Sequence, residues 1–212
     1  YLGAKLHNKV VQVVGVSLLL NVIIGLSVSA ILYFGAPFLL HLMGLRDSLM
    51  IYGVSYMEIV GAFAFFQAIS LTISASLKSA DKAIYPMLVV VVVNVLNIIG
   101  NYSLIFGKFG MPTLGVDGAA ISTAFARGVS MVILFIILFK KHIPRFPLAI
   151  FRPFPWVEMK NLLKIGLPSA GENMSYSFSQ VVLTYFINML GNEALAARTY
   201  VVNVIMFVYL FT

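Results

Sequence analysis

Residues 10–45 read VVQVVGVSLLLNVIIGLSVSAILYFGAPFLLHLMGL, without one Lys, Arg, Asp or Glu. A helix of about 20 apolar residues crosses the hydrocarbon core of a bilayer. This run is too long for one crossing and too short for two with a turn. Gly35-Ala36-Pro37 lies inside it, and Pro removes a backbone donor and clashes with the preceding turn. The reading therefore ends the first helix near residue 34 and lays 38–45 along the interface, ahead of Arg46-Asp47.

Further uncharged runs at 59–77, 83–107 and 173–192 carry the signal along the chain. A secretory leader would be one short apolar run near the start, so that reading fails. The chain is 61% hydrophobic and 10% charged, against about 25% charged in a soluble domain. The pattern predicts an all-α fold, a multi-pass transmembrane helical bundle. Its helices are expected at about 11–34, 51–76, 84–106, 116–139, 159–190 and 194–212. Residue 1 is Tyr, and 201–212 stop within an apolar run, so the chain reads as an internal part of a longer polypeptide. It has no Cys, hence no disulfide and no thiolate metal site.

The net charge of +7 could suggest nucleic acid, but its distribution points elsewhere. Alternating the loops across the bilayer puts Lys5, Lys9, Lys78, Lys82, Lys140, Lys141, Arg145, Arg152, Lys160 and Lys164 on one side. The other side holds Arg46, Lys108 and Arg198. Excess basic residues mark the cytoplasmic face, so the charge is a topology signal. The basic loop 140–158 carries Pro144, Pro147, Pro153 and Pro155, which stop both neighbouring helices. It reads as a cytoplasmic linker over 141–158, with Trp156 anchored at the headgroups, between units at 1–140 and 159–212.

Polar residues inside the spans carry the functional reading. Asn94, Asn97 and Asn101 recur at spacings of three and four, which gathers their amides on one helical face. They either coordinate cations or substrate, or hydrogen-bond between helices. The small residues from Gly115 to Ala126 allow close helix packing. Arg127 falls about 18 Å into its helix; it either pairs with Glu58 or lines an aqueous cavity, the ion pair being preferred.

Glu172 stands apart. It follows Gly166-Leu167-Pro168, and the next 20 residues hold no charge. A carboxylate at bilayer depth costs roughly 2.5–3.5 kcal/mol even on the lenient insertion scale, and chains that keep one use it to hold a cation, a proton or a partner charge. Pro168 frees a backbone carbonyl and serves as a hinge. Asn173 is adjacent, and Tyr176 and Gln180 continue the Glu172 face at steps of four. The alternative is a buried hydrogen-bonded pair with a residue elsewhere in the protein. His7, His41 and His142 lack a second His at ligand spacing, and no P-loop, GxSxG or HExxH pattern occurs. The chain is read as a transporter and not an enzyme, without a cofactor and driven by an ion gradient.

Asn97-Ile-Ile-Gly-Asn101-Tyr-Ser-Leu-Ile-Phe-Gly107, then Gly110-Met-Pro-Thr-Leu-Gly-Val-Asp-Gly-Ala-Ala120, resembles the fifth-to-sixth helix signature of the multidrug and toxic compound extrusion (MATE) family. Lys164-Ile-Gly-Leu-Pro-Ser-Ala-Gly-Glu172, with Leu190-Gly191 and Ala194-Leu-Ala-Ala197 beyond it, is similar to the opening of that family's second bundle. Tyr1-Leu-Gly-Ala-Lys5 resembles the end of its second helix, and Lys78-Ser-Ala-Asp-Lys82 the loop after its fourth.

The resemblance implies part of a two-lobe, twelve-helix antiporter, about helices 3 to 8, in the cell membrane. It implies H⁺- or Na⁺-coupled export of amphipathic, often cationic organic compounds by alternating access. Glu172 would be the coupling carboxylate, with Na⁺ as one candidate ligand, and Asn94, Asn97, Asn101, Asn173, Tyr176 and Gln180 would line the cation or substrate path. In one proton-coupled branch Asp is expected where Asn101 stands, and an amide cannot take up and release a proton at physiological pH. Expected partners are small organic substrates and the bilayer, with no nucleic acid and a monomer in the complete protein. The rival is a flippase for lipid-linked oligosaccharides or lipids of the same superfamily, which would line its cavity with several basic residues.

Overall fold

The computed structural model describes residues 7–42, 47–142, 154–189, 198 and 200–206. Among the described residues every regular element is helical. These are α1 (His7–Leu42), α2 (Asp47–Ala62), α3 (Ala64–Ser79), α4 (Ile84–Phe106), α5 (Gly115–Ile137) and α6 (Trp156–Met189), with a π-helical turn at Leu138–His142. Residues 200–206 are also helical. The expectations for Tyr1–Lys5, Arg46, the linker prolines 144, 147 and 153, Leu190-Gly191, Glu193 and Ala194–Ala197 fall outside the described residues, as does most of the helix expected at 194–212.

Contacts divide the chain into two units, residues 1–159 and 160–212. In the first, α1 packs along both α2 and α3, and α5 packs against α4, α2 and α3. Val10, Val14, Ile69, Ile73, Leu77, Val89, Leu134 and Leu138 form its buried core. Long apolar side chains cover the outside, including Phe34, Phe38 and Ile98, as befits a surface solvated by acyl chains. Among the described residues three helices, spanning Lys9–Leu42, Ile84–Phe106 and Gly115–Lys140, are long and apolar enough to cross a membrane, and α2 with α3 qualifies as a bent pair.

Two helix expectations are corrected. α1 does not end at residue 34 but runs through Pro37 to Leu42. Proline removes one hydrogen bond from a helix. Leaving the helix at that depth would strand several backbone groups where no water can reach them. The second correction is that 51–76 is not one rod: α2 and α3 meet at Phe63 with a bend of 45°. Neither Pro nor Gly occupies that position, and a side chain of another helix accommodates the break. The Phe65 backbone N–H donates to Oγ of Ser29 on α1 at 3.0 Å, so the donor freed by the break has a buried acceptor. Ser29 is 5% exposed. Ser29→Ala leaves that N–H unsatisfied and is expected to cost about 1–3 kcal/mol, read as a lowered midpoint of thermal unfolding in detergent.

α4 has the expected bounds. It closes on Gly107, whose φ of 64° is the left-handed cap conformation open to glycine. The loop then returns so that Leu114 N–H donates to the Leu104 carbonyl at 2.8 Å, which starts α5 beside the end of α4. Their small faces meet closely: an added Cβ on Gly118 would lie 2.6 Å from the Leu104 carbonyl oxygen.

One ion pair joins the start of α1 to the start of α6. The Lys9 ammonium donates to the Glu158 carboxylate, whose side chain is nearly enclosed. That hydrogen bond, aided by one from its own backbone and by the Lys9 charge, holds the Glu158 carboxyl below the usual carboxylate range against the opposing pull of burial. A depressed folded-state pKa adds stability that is present above the unfolded value and lost as pH falls through the folded one. The wild type should therefore lose its thermal advantage over Glu158→Gln as pH drops below about 4, a comparison made by melting both proteins between neutral and acid pH.

Candidate functional site

Polar side chains converge where α4 meets α5. Asn101 Nδ2 donates to Asn97 Oδ1 at 2.8 Å, and Asn97 Nδ2 donates to Thr123 Oγ1 at 3.3 Å. Thr123 Oγ1 in turn donates to the Ala119 carbonyl at 2.8 Å. Ser122 Oγ donates to the Asn97 carbonyl at 3.3 Å, where Gly100 leaves room for the Ser122 side chain. The amide series runs from Asn101 through Asn97 to Thr123, whereas Ser122 on α5 donates back to α4. At the head of the series the Asn101 Oδ1 is buried and has no donor. A buried amide oxygen without a donor is uncommon in native proteins and is suited to a cation or an N–H group. Asn94 is exposed and takes no part in this series.

Asp117 completes the outer end of the same helix pair. It accepts a hydrogen bond of 2.6 Å from Ser55 Oγ on α2, so it ties α5 to α2. Sequence reasoning treated Asp117 as part of a small-residue packing stretch and missed this role. A carboxylate in the first turn of a helix is favoured by the helix dipole, and that was the available signal.

The expected Arg127–Glu58 pair is a correction: among the described residues the ion pair within 4.0 Å is Lys9–Glu158. Arg127 instead shares a groove with Gln67, Ser70 and Ser74 of α3, and its neighbour Gly128 faces Phe66. Gln67 is nine residues past Glu58, about 13 Å along a helix, so α5 meets this segment well beyond the carboxylate. Arg127 is half-buried along this groove.

In the second unit, α6 continues through Pro168. Glu172 and Tyr176 are exposed on it, and Glu172 has no ion-pair partner among the described residues. Asn173 Nδ2 donates to the Ser169 carbonyl at 2.8 Å, one turn back. Gln180 is engaged: Arg198 donates to its Oε1 at 2.6 Å and also to Thr184 Oγ1. The one arginine described in this unit thus binds neutral oxygens on α6 rather than Glu172. The sequence reading counts Arg198 only as a charge on one side of the bilayer and does not link it to this face. Among the described residues no three His, Asp or Glu side chains gather as a metal cluster.

Comparisons with known proteins agree on one family. The MatE family model matches residues 1–103. The chain is 40% identical over 211 residues, its whole length, to 46% of an uncharacterized transporter, YisQ, of Bacillus subtilis. It is 33% identical over 149 residues, 70% of the chain and 32% of the relative, to a probable multidrug resistance protein NorM of Thermotoga maritima. A solved inward-facing multidrug resistance MATE transporter of the MOP superfamily superposes with a TM-score of 0.75 at 24% identity, over 91% of this chain and 43% of that one. The chain thus spans less than half the length of these relatives.

Proposed function

From the chain's membership of the MatE family, whose domain covers residues 1–103, we propose that it forms part of a cation-coupled exporter of amphipathic organic compounds. Family membership makes it a transporter component and not an enzyme. A relative named a multidrug export protein, MepA of Staphylococcus saprophyticus, supports export as its direction. Transport proceeds by alternating access in a multi-pass protein of the cell membrane, with the basic loop 140–158 in the cytoplasm. No cofactor takes part beyond the coupling ion, H⁺ or Na⁺.

The observation that carries the coupling role is Glu172, a carboxylate in an otherwise charge-free run, without a counter-charge among the described residues. A single carboxylate balances one positive charge at a time, so a coupling ion and a cationic cargo compete for one site. Asn97 and Asn101 act in the first unit as neutral ligands through the open Asn101 oxygen. Tyr176 supplies an aromatic face for cations, Asn173 and Gln180 supply amide contacts on the same helix, Asn94 lines the approach, and Pro168 is the hinge.

The test is efflux of a cationic dye from cells expressing the protein. Efflux that stops when the proton and sodium gradients are both collapsed supports the reading. Efflux that persists under those conditions, or no dye movement at all, removes it.

A further inference from the structure

The groove that holds Arg127 has a composition the export reading does not use. It lies between α3, α4 and α5 and encloses about 490 Å³. Gln67, Ser70, Ser74 and Lys78 line it from α3 at steps of three and four, which is one stripe of a helix. Arg127 and Ser130 face them from α5, and α4 contributes an apolar wall around Pro86, Val89 and Val93. One side of the groove is therefore polar and cationic, and the other is aliphatic.

Three observations give it a ligand chemistry. Among the described residues both cations are unmatched: no Asp or Glu lines the groove, and neither the Lys78 nor the Arg127 side chain makes an ion pair or hydrogen bond. An arginine at this depth in a membrane helix is costly unless something compensates it. The third is Ser70, which is 6% exposed and whose Oγ has no partner. Thr72, Ser103 and Thr123 each return their hydroxyl to the carbonyl one turn back. Ser70 does not, so its donor remains available to an acceptor within the groove.

We propose that this groove binds a phosphate group, with the Arg127 guanidinium as its principal contact, Lys78 as the second charge, and the Ser70 hydroxyl as a neutral donor. A planar guanidinium meets two phosphate oxygens at once, whereas an ammonium acts as a point charge. The aliphatic α4 wall suits the tail of an anionic phospholipid. The same three donors would also accept a soluble phosphate, and the two sources are separable. The site is independent of Glu172 and of the coupling mechanism, so it stands or falls by itself.

The protein purified in detergent is mixed with equal amounts of phosphatidylglycerol and phosphatidylcholine, and retained lipid is counted by native mass spectrometry. In parallel, its melting temperature is compared in inorganic phosphate and in chloride at equal ionic strength. Arg127→Gln, Arg127→Lys, Ser70→Ala and the loop variant Lys108→Gln are carried through both arms, each first shown to melt cooperatively. Preferential retention of phosphatidylglycerol, reduced about tenfold by Arg127→Gln, partly restored by Arg127→Lys and unchanged by Lys108→Gln, supports a lipid phosphate. Stabilisation by inorganic phosphate with the same variant pattern, without lipid preference, supports a soluble phosphate at the same site. Neither lipid preference nor phosphate stabilisation in the wild type overturns the proposal. So does an Arg127→Gln protein that behaves as wild type in both arms.

Discussion

Replacement of Glu172 by Gln is expected to reduce gradient-driven efflux on the order of tenfold to a hundredfold, the loss of a charge-assisted interaction of about 1.5–3 kcal/mol. Glutamine keeps the size and the hydrogen-bonding oxygen but removes the charge. Packing should survive, because Glu172 is exposed on α6 and bonded to nothing that is described. The measurement is the rate of dye efflux from energised cells at matched protein levels, with Glu172→Asp alongside. Partial activity in the Asp variant and near-background activity in the Gln variant would identify the charge as the requirement. Equal efflux in wild type and Glu172→Gln would remove this residue from the mechanism.

The second large effect is structural. Gly118→Ala is expected to lower the thermal midpoint by about 5–10 °C, from an overpacking penalty of about 1–3 kcal/mol, and Gly118→Val to prevent stable insertion. The added Cβ would sit 2.6 Å from the Leu104 carbonyl oxygen and 2.7 Å from its carbon. Backbone atoms cannot rotate aside as a side-chain tip can. Moving α4 away would also disturb the Leu114-to-Leu104 hydrogen bond and open the Asn97–Thr123 contact. Gly166→Ala is the control: nothing lies within 4 Å of its Cβ position, and it should be neutral or stabilising by up to about 1 kcal/mol. Melting curves of the three variants in one detergent decide the matter.

These two sites differ in how far the sequence exposes them. Glu172 is conspicuous because its neighbours are uncharged, and α4 could be bounded from the Lys78–Lys82 loop and Gly107 alone. Small residues along α5 likewise announced close packing, which Gly118 and Leu104 realise. What could not be read were features whose cause is remote in the chain. The backbone donor freed at the Phe63 bend is met by Ser29, a residue of another helix. Ser55 reaches Asp117, and Lys9 reaches Glu158, across 62 and 149 positions. Pro37 was over-read for the opposite reason: its local preference is strong, but helix continuity in an apolar solvent outweighs one missing bond. The Arg127 partner is not legible in the sequence, because the level at which α5 meets α2 and α3 depends on the bend between them.

The open Asn101 oxygen could not have been anticipated from residue types either. Three asparagines on one face suggest a polar wall, but they do not say that Asn94 stays apart while Asn97 and Asn101 donate in series toward Thr123. That order leaves an acceptor for a cationic or N–H-bearing guest, which is the chemistry that the export reading assigns to this part of the first unit.

The most direct measurement is cation release on cargo binding. Purified protein in weakly buffered detergent solution, with trace Na⁺ monitored alongside pH, is titrated with an organic dye cation. Competition for the Glu172 carboxylate predicts that the wild type discharges close to one H⁺ or Na⁺ for each dye bound, and that Glu172→Gln discharges none. Dye binding by the wild type with no ion displaced, or the same displacement from the Gln variant, would contradict it.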